Sequence, residues 1–318
     1  MKRRNFLKSS SILIAPFMMN FDTPKTPKLK LALSQWALHR EQFGNSKEDY
    51  RQWQKWLATE PEKVLKGTLD PLDFPKVAKE RFGLAAVEYV NTFFYRKDED
   101  YFTELQNRSA DVGVKNLLIM VDEEGFLGHP EEKERLQTIE RHKRWLAAAA
   151  ILGCHSIRVN AHSKGTEEEQ QKLAAEGLSK LCDLAKPVNL NVIIENHGGM
   201  SSHPEWLIRT IKATGQTNIG TMVDFDNFKY SETKIWDGEH TYDRYKGVDL
   251  LLPYAKAVSA KSYSFDADGS EEKIDFERMA KIIKDSNFEG YVSIEYEGDG
   301  LAENEGIKAT KSLLDKLL

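Results

Sequence analysis

The chain has 318 residues, of which 40% are hydrophobic, 10% aromatic and 30% charged. Disorder needs fewer aliphatic and aromatic residues than this, so the composition is that of a folded globular protein. The formal charge is −5, which argues against a nucleic-acid partner, since such a footprint needs a basic face. No apolar run reaches the roughly 18 residues of a spanning helix, which excludes stable membrane insertion.

In chain order the first element is an address. Lys2, Arg3, Arg4, Asn5, Phe6, Leu7 and Lys8 precede a mildly apolar stretch from Ser11 to Met19. This is the twin-arginine pattern with a short hydrophobic region behind it. Residues 1–27 are therefore read as a twin-arginine signal peptide and linker, and the protein is expected in the periplasm, exported already folded. The first twenty residues carry four basic residues and no acid, and without them the remainder carries −9. Cys154 and Cys182 are too few for a cysteine metal site or a disulfide framework; they are read as buried free thiols, with a single disulfide left open.

From residue 28 onward, short β-rich runs alternate with longer amphipathic ones. The runs are Leu29–Trp36, Ala85–Asn91, Asn116–Val121, Ser156–Asn160, Asn191–Glu195, Ile219–Asp224, Ala257–Lys261 and Tyr291–Glu295. Helical patterns such as Glu131–Leu152, Glu167–Ala185, Ile274–Asp285 and Glu303–Leu317 fall between and after them. Eight such units with right-handed crossovers predict a (β/α)8 TIM barrel as a single domain, residues 28–318. A doubly wound sheet would carry a glycine-rich turn after its first strand, and Ser34-Gln35-Trp36-Ala37-Leu38-His39 is not one. A charged insert at about 41–69 lengthens the first βα loop. In it Tyr50, Trp53, Trp56 and Leu57 recur at helical spacing, predicting an extra helix at the mouth of the barrel.

The active end of such a barrel lies at the carboxyl ends of its strands, and those ends are polar here. Glu195 closes the run Val192-Ile193-Ile194, Asp224 closes Thr221-Met222-Val223, and Glu295 follows Tyr291-Val292-Ser293-Ile294. Three carboxylates at one buried mouth are untenable without cations, so either a divalent metal or a lysine or arginine must neutralise them. Trp36 and His39 end the first strand, Asn160 and His162 the fourth; His197 follows the fifth and Asn227 the sixth. These six are candidate substrate-binding residues. Glu88, on the second strand, is expected in a buried ion pair.

Taken together, Ser34-Gln35-Trp36-Ala37-Leu38-His39-Arg40, Val87-Glu88-Tyr89-Val90-Asn91, Glu195-Asn196-His197-Gly198-Gly199, Asp224-Phe225-Asp226-Asn227 and Ser293-Ile294-Glu295-Tyr296 resemble the xylose isomerase-like barrels, specifically the sugar phosphate isomerase/epimerase family. The resemblance covers nearly everything from Leu29 onward. It implies a divalent ion held by Glu195, Asp224 and Glu295, three of the family's four ligand positions. The fourth, a histidine in a His-x-Lys motif, is Ser259 in Ser259-Ala260-Lys261. Two outcomes follow. The metal persists on three carboxylates plus water, which favours Mg²⁺ or Mn²⁺ with Zn²⁺ or Co²⁺ behind them, or Lys261 turns inward and replaces it.

The resemblance implies isomerisation or epimerisation of a small sugar or sugar derivative, by proton transfer next to a carbonyl. Glu195 and Glu295 would act as acid and base, and Lys261 would bind the developing oxyanion. Two alternatives stand beside this: a lyase or hydrolase acting on 3-keto-sugar glycosides, and a non-catalytic sugar-binding barrel. A homo-oligomer is compatible with the sequence.

Overall fold

A computed structural model describes residues 29–318. The twin-arginine segment lies outside the described residues. In chain order the elements are β1 (Lys30–Ser34), α1 (His39–Phe43), α2 (Tyr50–Thr59), α3 (Phe74–Phe82), β2 (Ala86–Val90), α4 (Glu99–Asp111), β3 (Lys115–Met120), α5 (Glu132–Ile151), β4 (Ser156–Val159) and α6 (Glu167–Ala185). They continue with β5 (Asn191–Glu195), α7 (Pro204–Ala213), β6 (Ile219–Asp224), β7 (Lys229–Tyr230), β8 (His240–Thr241), α8 (Arg244–Leu251), β9 (Ala255–Ser262), α9 (Phe276–Asp285), β10 (Tyr291–Tyr296) and α10 (Glu303–Leu317).

Eight strands close a barrel in the order β1-β2-β3-β4-β5-β6-β9-β10, with β10 returning to β1. Every pairing in it is parallel. Parallel strands wrapped in helices are buried on both faces and read as continuous apolar runs, as Val192-Ile193-Ile194 does with no exposed surface. The predicted eight-stranded barrel is the observed one.

Local chemistry sets the helix ends. Thr166 and Glu169 form a reciprocal capping box at the start of α6, and Asp98 and Asp275 cap α4 and α9. On α9, Phe276, Met279, Ala280 and Ile283 recur at the spacing of one helix face and are buried. The α6 helix lies so close to the segment after β3 that a Cβ on Gly177 would sit 1.9 Å from the Leu127 carbonyl oxygen. Only glycine permits that approach.

The α2 helix, in the loop after β1, lies at the mouth of the barrel. In α2, Trp53 and Leu57 are buried, while Tyr50 and Gln54 donate to the Glu123 carboxylate at 2.6 and 2.8 Å. The β7–β8 hairpin after β6 was not legible in the sequence pattern, because two-residue strands are too short for a period to show. Cys154 and Cys182 are free and buried. Among the described residues, no helix is long and apolar enough to cross a membrane.

Candidate active site

Strand alternation decides which side chains reach the barrel mouth. On β10 and just beyond it, Glu295 and Glu297 share the inward face; on β9 that face carries Ser259 and Lys261. The four-residue strand β4 turns Arg158 inward. A cavity of about 630 Å³ opens above them, walled partly by Arg158, Lys261, Glu295 and Glu297 and partly by the insert and the β7–β8 loop.

Two protein cations organise the acids. Arg158 Nη1 donates to Asp122 Oδ1 at 2.7 Å, and its Nε lies 2.8 Å from Glu195 Oε2. That second contact is close but poorly aligned for a hydrogen bond, so it acts mainly through charge. Asn227 donates to the other Glu195 oxygen at 3.1 Å. The Lys261 ammonium lies 3.2 Å from Glu297, 3.4 Å from Glu295 and 3.8 Å from Asp224. Ser34 Oγ donates to Glu295 Oε2 at 2.8 Å, and two backbone N–H groups, of Asp226 and Asn227, donate to Asp224 Oδ1 at 2.9 Å.

The acids outnumber the cations, and burial decides which of them keep protons. Burial pushes the Glu295 carboxyl up to about 8 and that of Asp224 up to about 7, with Lys261 only partly offsetting the effect. Glu195 is raised for the same reason. Asp122 and Glu297 go the other way. Burial opposes them, but Arg158 holds Asp122 well below its ordinary value, and Lys261, helped by the Trp36 indole, lowers Glu297. Burial also works against the Lys261 charge, yet Asp224, Glu297 and Glu295 keep it firmly protonated.

The structure brings most of the expected residues to one place. Trp36, Asn160, His162, His197, Asn227, Lys261 and Glu295 border the cavity. Asn160 donates to Asp122 and accepts from His197 Nδ1 at 3.0 Å, and His162 donates to the His197 carbonyl at 3.1 Å. Burial lowers both histidines, which stay neutral. Glu195 and Asp224 lie deeper, at 2% and 0% exposure, beneath the two cations rather than on the wall.

Three expectations need correction. His39 does not reach the cavity: it stacks behind Trp36 at 5.0 Å, and its Nδ1 donates to the Trp36 carbonyl. With Lys47 Nζ 3.9 Å over the same indole, neither Trp36 face is open to a sugar; its N–H instead donates to Glu297 at 2.6 Å. Among the described residues Glu88 has no ion-pair partner, and both its oxygens lack a well-formed hydrogen bond. Burial pushes it up to about 8, with the Ser293 hydroxyl beside it offsetting little.

Sequence reasoning missed Lys47, Asp122, Arg158, Glu297 and Trp236. Trp236 stands in the β7–β8 loop at 52% exposure, its ring edge-on to His197 at 4.8 Å. Gly198 makes that approach feasible. It has φ +80°, and a Cβ there would lie 2.4 Å from the Ile235 carbonyl oxygen.

Whether a divalent ion suits this donor set can be judged from the same contacts. Among the described residues, no three His, Cys, Asp or Glu side chains converge in a geometry that would hold one. One oxygen of each expected ligand is taken by a protein donor, and the other faces Lys261 or Arg158. Ser259, the replacement for the histidine ligand, is fully buried with its hydroxyl unpartnered. The residues do not fit the metal as they stand.

Comparisons with known proteins agree with the fold. An inosose dehydratase of Clostridium perfringens is 28% identical over 168 residues, 47% of this chain and 56% of the relative. The chain thus spans little more than half the length of the curated relatives it matches. The solved 3-keto-D-glucoside 4-epimerase YcjR from E. coli superposes with a TM-score of 0.63 at 16% identity, over 78% of this chain and 94% of that one. The IolI protein, solved with a bound zinc atom, gives 0.63 at 16% identity over 91% and 98%. At such identities the likeness is one of fold. The family described as the xylose isomerase-like TIM barrel matches residues 76–317, most of the chain, and the protein belongs to that family.

Proposed function

We propose that the protein is a sugar isomerase or epimerase that moves a proton at the carbon next to the carbonyl of a keto-sugar or cyclitol ketone. The observation that carries this reading is the trio on the cavity wall. Lys261 lies 3.4 Å from Glu295 and 3.2 Å from Glu297, one carboxyl proton-bearing near neutral pH and the other ionised. An α-proton next to a carbonyl is weakly acidic, so its removal needs a base and a stabiliser for the enediolate oxygen. Ionised Glu297 takes the α-proton while the Lys261 ammonium stabilises the enediolate oxygen. Protonated Glu295 gives a proton to the former carbonyl carbon, the hydroxyl proton passes from the oxygen that becomes the new carbonyl to the old one, and proton exchange with solvent resets the two carboxyls. Glu195 acts from behind, holding Arg158 in place.

Both carboxyls project from the end of β10, so they address one face of the substrate. That suits isomerisation, in which a proton moves between adjacent carbons on one side. Epimerisation needs a donor on the far side, where Asp122 is tied to Arg158 and Asn160. A second reading, loss of water from a β-hydroxy ketone, is favoured by the protonated state of Glu295, which could protonate a departing hydroxyl. It is also in keeping with the inosose dehydratase relative.

Incubation in D2O with an inosose or a 3-keto-glucoside tests both. Deuterium at the α-carbon with recovery of an isomeric sugar supports the first, and an enone product lighter by one water supports the second. No exchange and no product from either substrate would leave a sugar-binding barrel. We further propose export by the twin-arginine route, which the pattern Arg3-Arg4-Asn5-Phe6-Leu7-Lys8 supports. Replacing Arg3 and Arg4 together by lysine should strand folded precursor in the cytoplasm; unchanged periplasmic accumulation would refute it.

A further inference from the structure

We infer that Lys261 and Arg158 stand in the place of a divalent ion, so that this chain assembles and uses its carboxylate cluster without a metal. The inference concerns the site of the proposed proton transfer, but its readouts are metal content and melting temperature, which hold whether or not the substrate reading is right.

The argument starts from charge. Glu195, Asp224 and Glu295 end three strands of one barrel, each no more than 5% exposed. Such a cluster is held by carboxyls that keep their protons and, for the charge that remains, by a counter-charge at its centre. Here the centre is filled from within the chain. The Lys261 ammonium lies within 3.8 Å of Asp224, Glu295 and Glu297, and the Arg158 guanidinium bridges Glu195 to Asp122. A dication bound to these oxygens would be pressed against both, in a region of low dielectric where like charges repel strongly.

Ser259 points the same way. It pairs across the sheet with Asp224 on one side and Ser293 on the other, the level at which an imidazole would reach the cluster. A hydroxyl there is a weak neutral donor, poorly suited to replacing the nitrogen ligand of a divalent ion. With no imidazole at this level, the Lys261 ammonium occupies the space and charge that an ion would need.

The test uses full-length protein produced in medium supplemented with Mg²⁺, Mn²⁺ and Zn²⁺, then dialysed. Elemental analysis should find well below one ion per chain, and neither EDTA nor added MnCl2 should move the melting temperature. One tightly bound ion per chain, or a melting temperature that falls in EDTA, would overturn the inference. Removing the resident cation should reverse the behaviour. Lys261→Met, and more strongly Ser259→His with Lys261→Met, should acquire a melting temperature that climbs with MnCl2, because a ligand that binds the native state stabilises it. A double variant that folds yet ignores Mn²⁺ would show that lysine is not standing where an ion would go. Should neither variant fold, the wild-type metal content and EDTA response decide the question.

Discussion

The rim and the floor of the barrel mouth carry the same side-chain chemistry in opposite states. At the rim, Asp122 and Glu297 retain about a quarter of their side-chain exposure, 22% and 26%. Each is gripped by a short contact, from Arg158 in one case and the Trp36 indole in the other, and both stay ionised. On the floor, Glu88, Glu195, Asp224 and Glu295 are at most 5% exposed, and all four are shifted upward by burial. Depth sorts them, more than the identity of the nearest cation. The result is a layer that can donate protons directly beneath a layer that can accept them, the separation of roles that acid–base chemistry needs.

The sharpest break in that arrangement is Glu295→Gln. It preserves shape and hydrogen bonding to Ser34 but leaves no exchangeable acid, so kcat should fall by roughly 10²–10⁴-fold with the melting temperature maintained. Unimpaired turnover would remove Glu295 from the chemistry. Next is Arg158→Met, which strips the cation linking rim to floor. Asp122 and Glu195 would keep their amide donors Asn160 and Asn227 but lose the cation between them, at a cost of roughly 3–5 kcal/mol. Denaturant titration reads this directly, and a loss below about 1 kcal/mol, the worth of an exposed pair, would show that the bridge is no more than a surface contact.

How much of this was legible beforehand follows from physical range. The barrel was readable because its strands are unbroken apolar runs at regular intervals. Glu195, Asp224 and Glu295 were readable because an acid must follow such a run to sit at the mouth. Asp122 obeys that same rule after Leu118-Ile119-Met120-Val121, and Glu297 shares the face of Glu295 by the two-residue period, so both signals were present. Arg158, a charge inside the strand Ser156–Val159, was another. Lys47 and Trp236 carry no such mark. Their positions depend on how the insert and the β7–β8 loop fold back over the mouth, which no local period encodes. Trp36 and His39 were placed at the right strand end, but their neighbours cover them.

A gentler probe of the floor is Glu88→Gln. Glu88 has an ordinary carboxyl value near 4.5 when unfolded and about 8 when folded. The native state therefore binds a proton that the unfolded chain has released, and between those pH values this group makes stability fall as pH rises. Glutamine removes that dependence. The variant should match the wild type near pH 4 and exceed it by roughly 3 kcal/mol at pH 7. Stability curves that stay parallel across this window would mean that Glu88 is charged, and that depth does not govern the floor.

The smallest effect is expected where the cavity is most open. Among the described residues Trp236 is the most exposed of the large hydrophobic side chains, at 52%, and it meets His197 through an edge contact. An exposed indole gains little for the fold, yet this one is held at the cavity by Gly199 N–H donating to the Ile235 carbonyl at 2.7 Å. With Trp36 packed against His39 and Lys47, the Trp236 ring offers an open aromatic surface to the apolar side of a sugar ring. Trp236→Ala should raise KM by roughly 5–10-fold, about the 1 kcal/mol of one aromatic contact, and leave kcat and melting temperature nearly unchanged. A change in KM alone is the signature of binding shared equally by substrate and transition state. If kcat falls with it, the loop also takes part in positioning the reacting carbons against Glu295 and Lys261; if neither moves, the ring is held elsewhere.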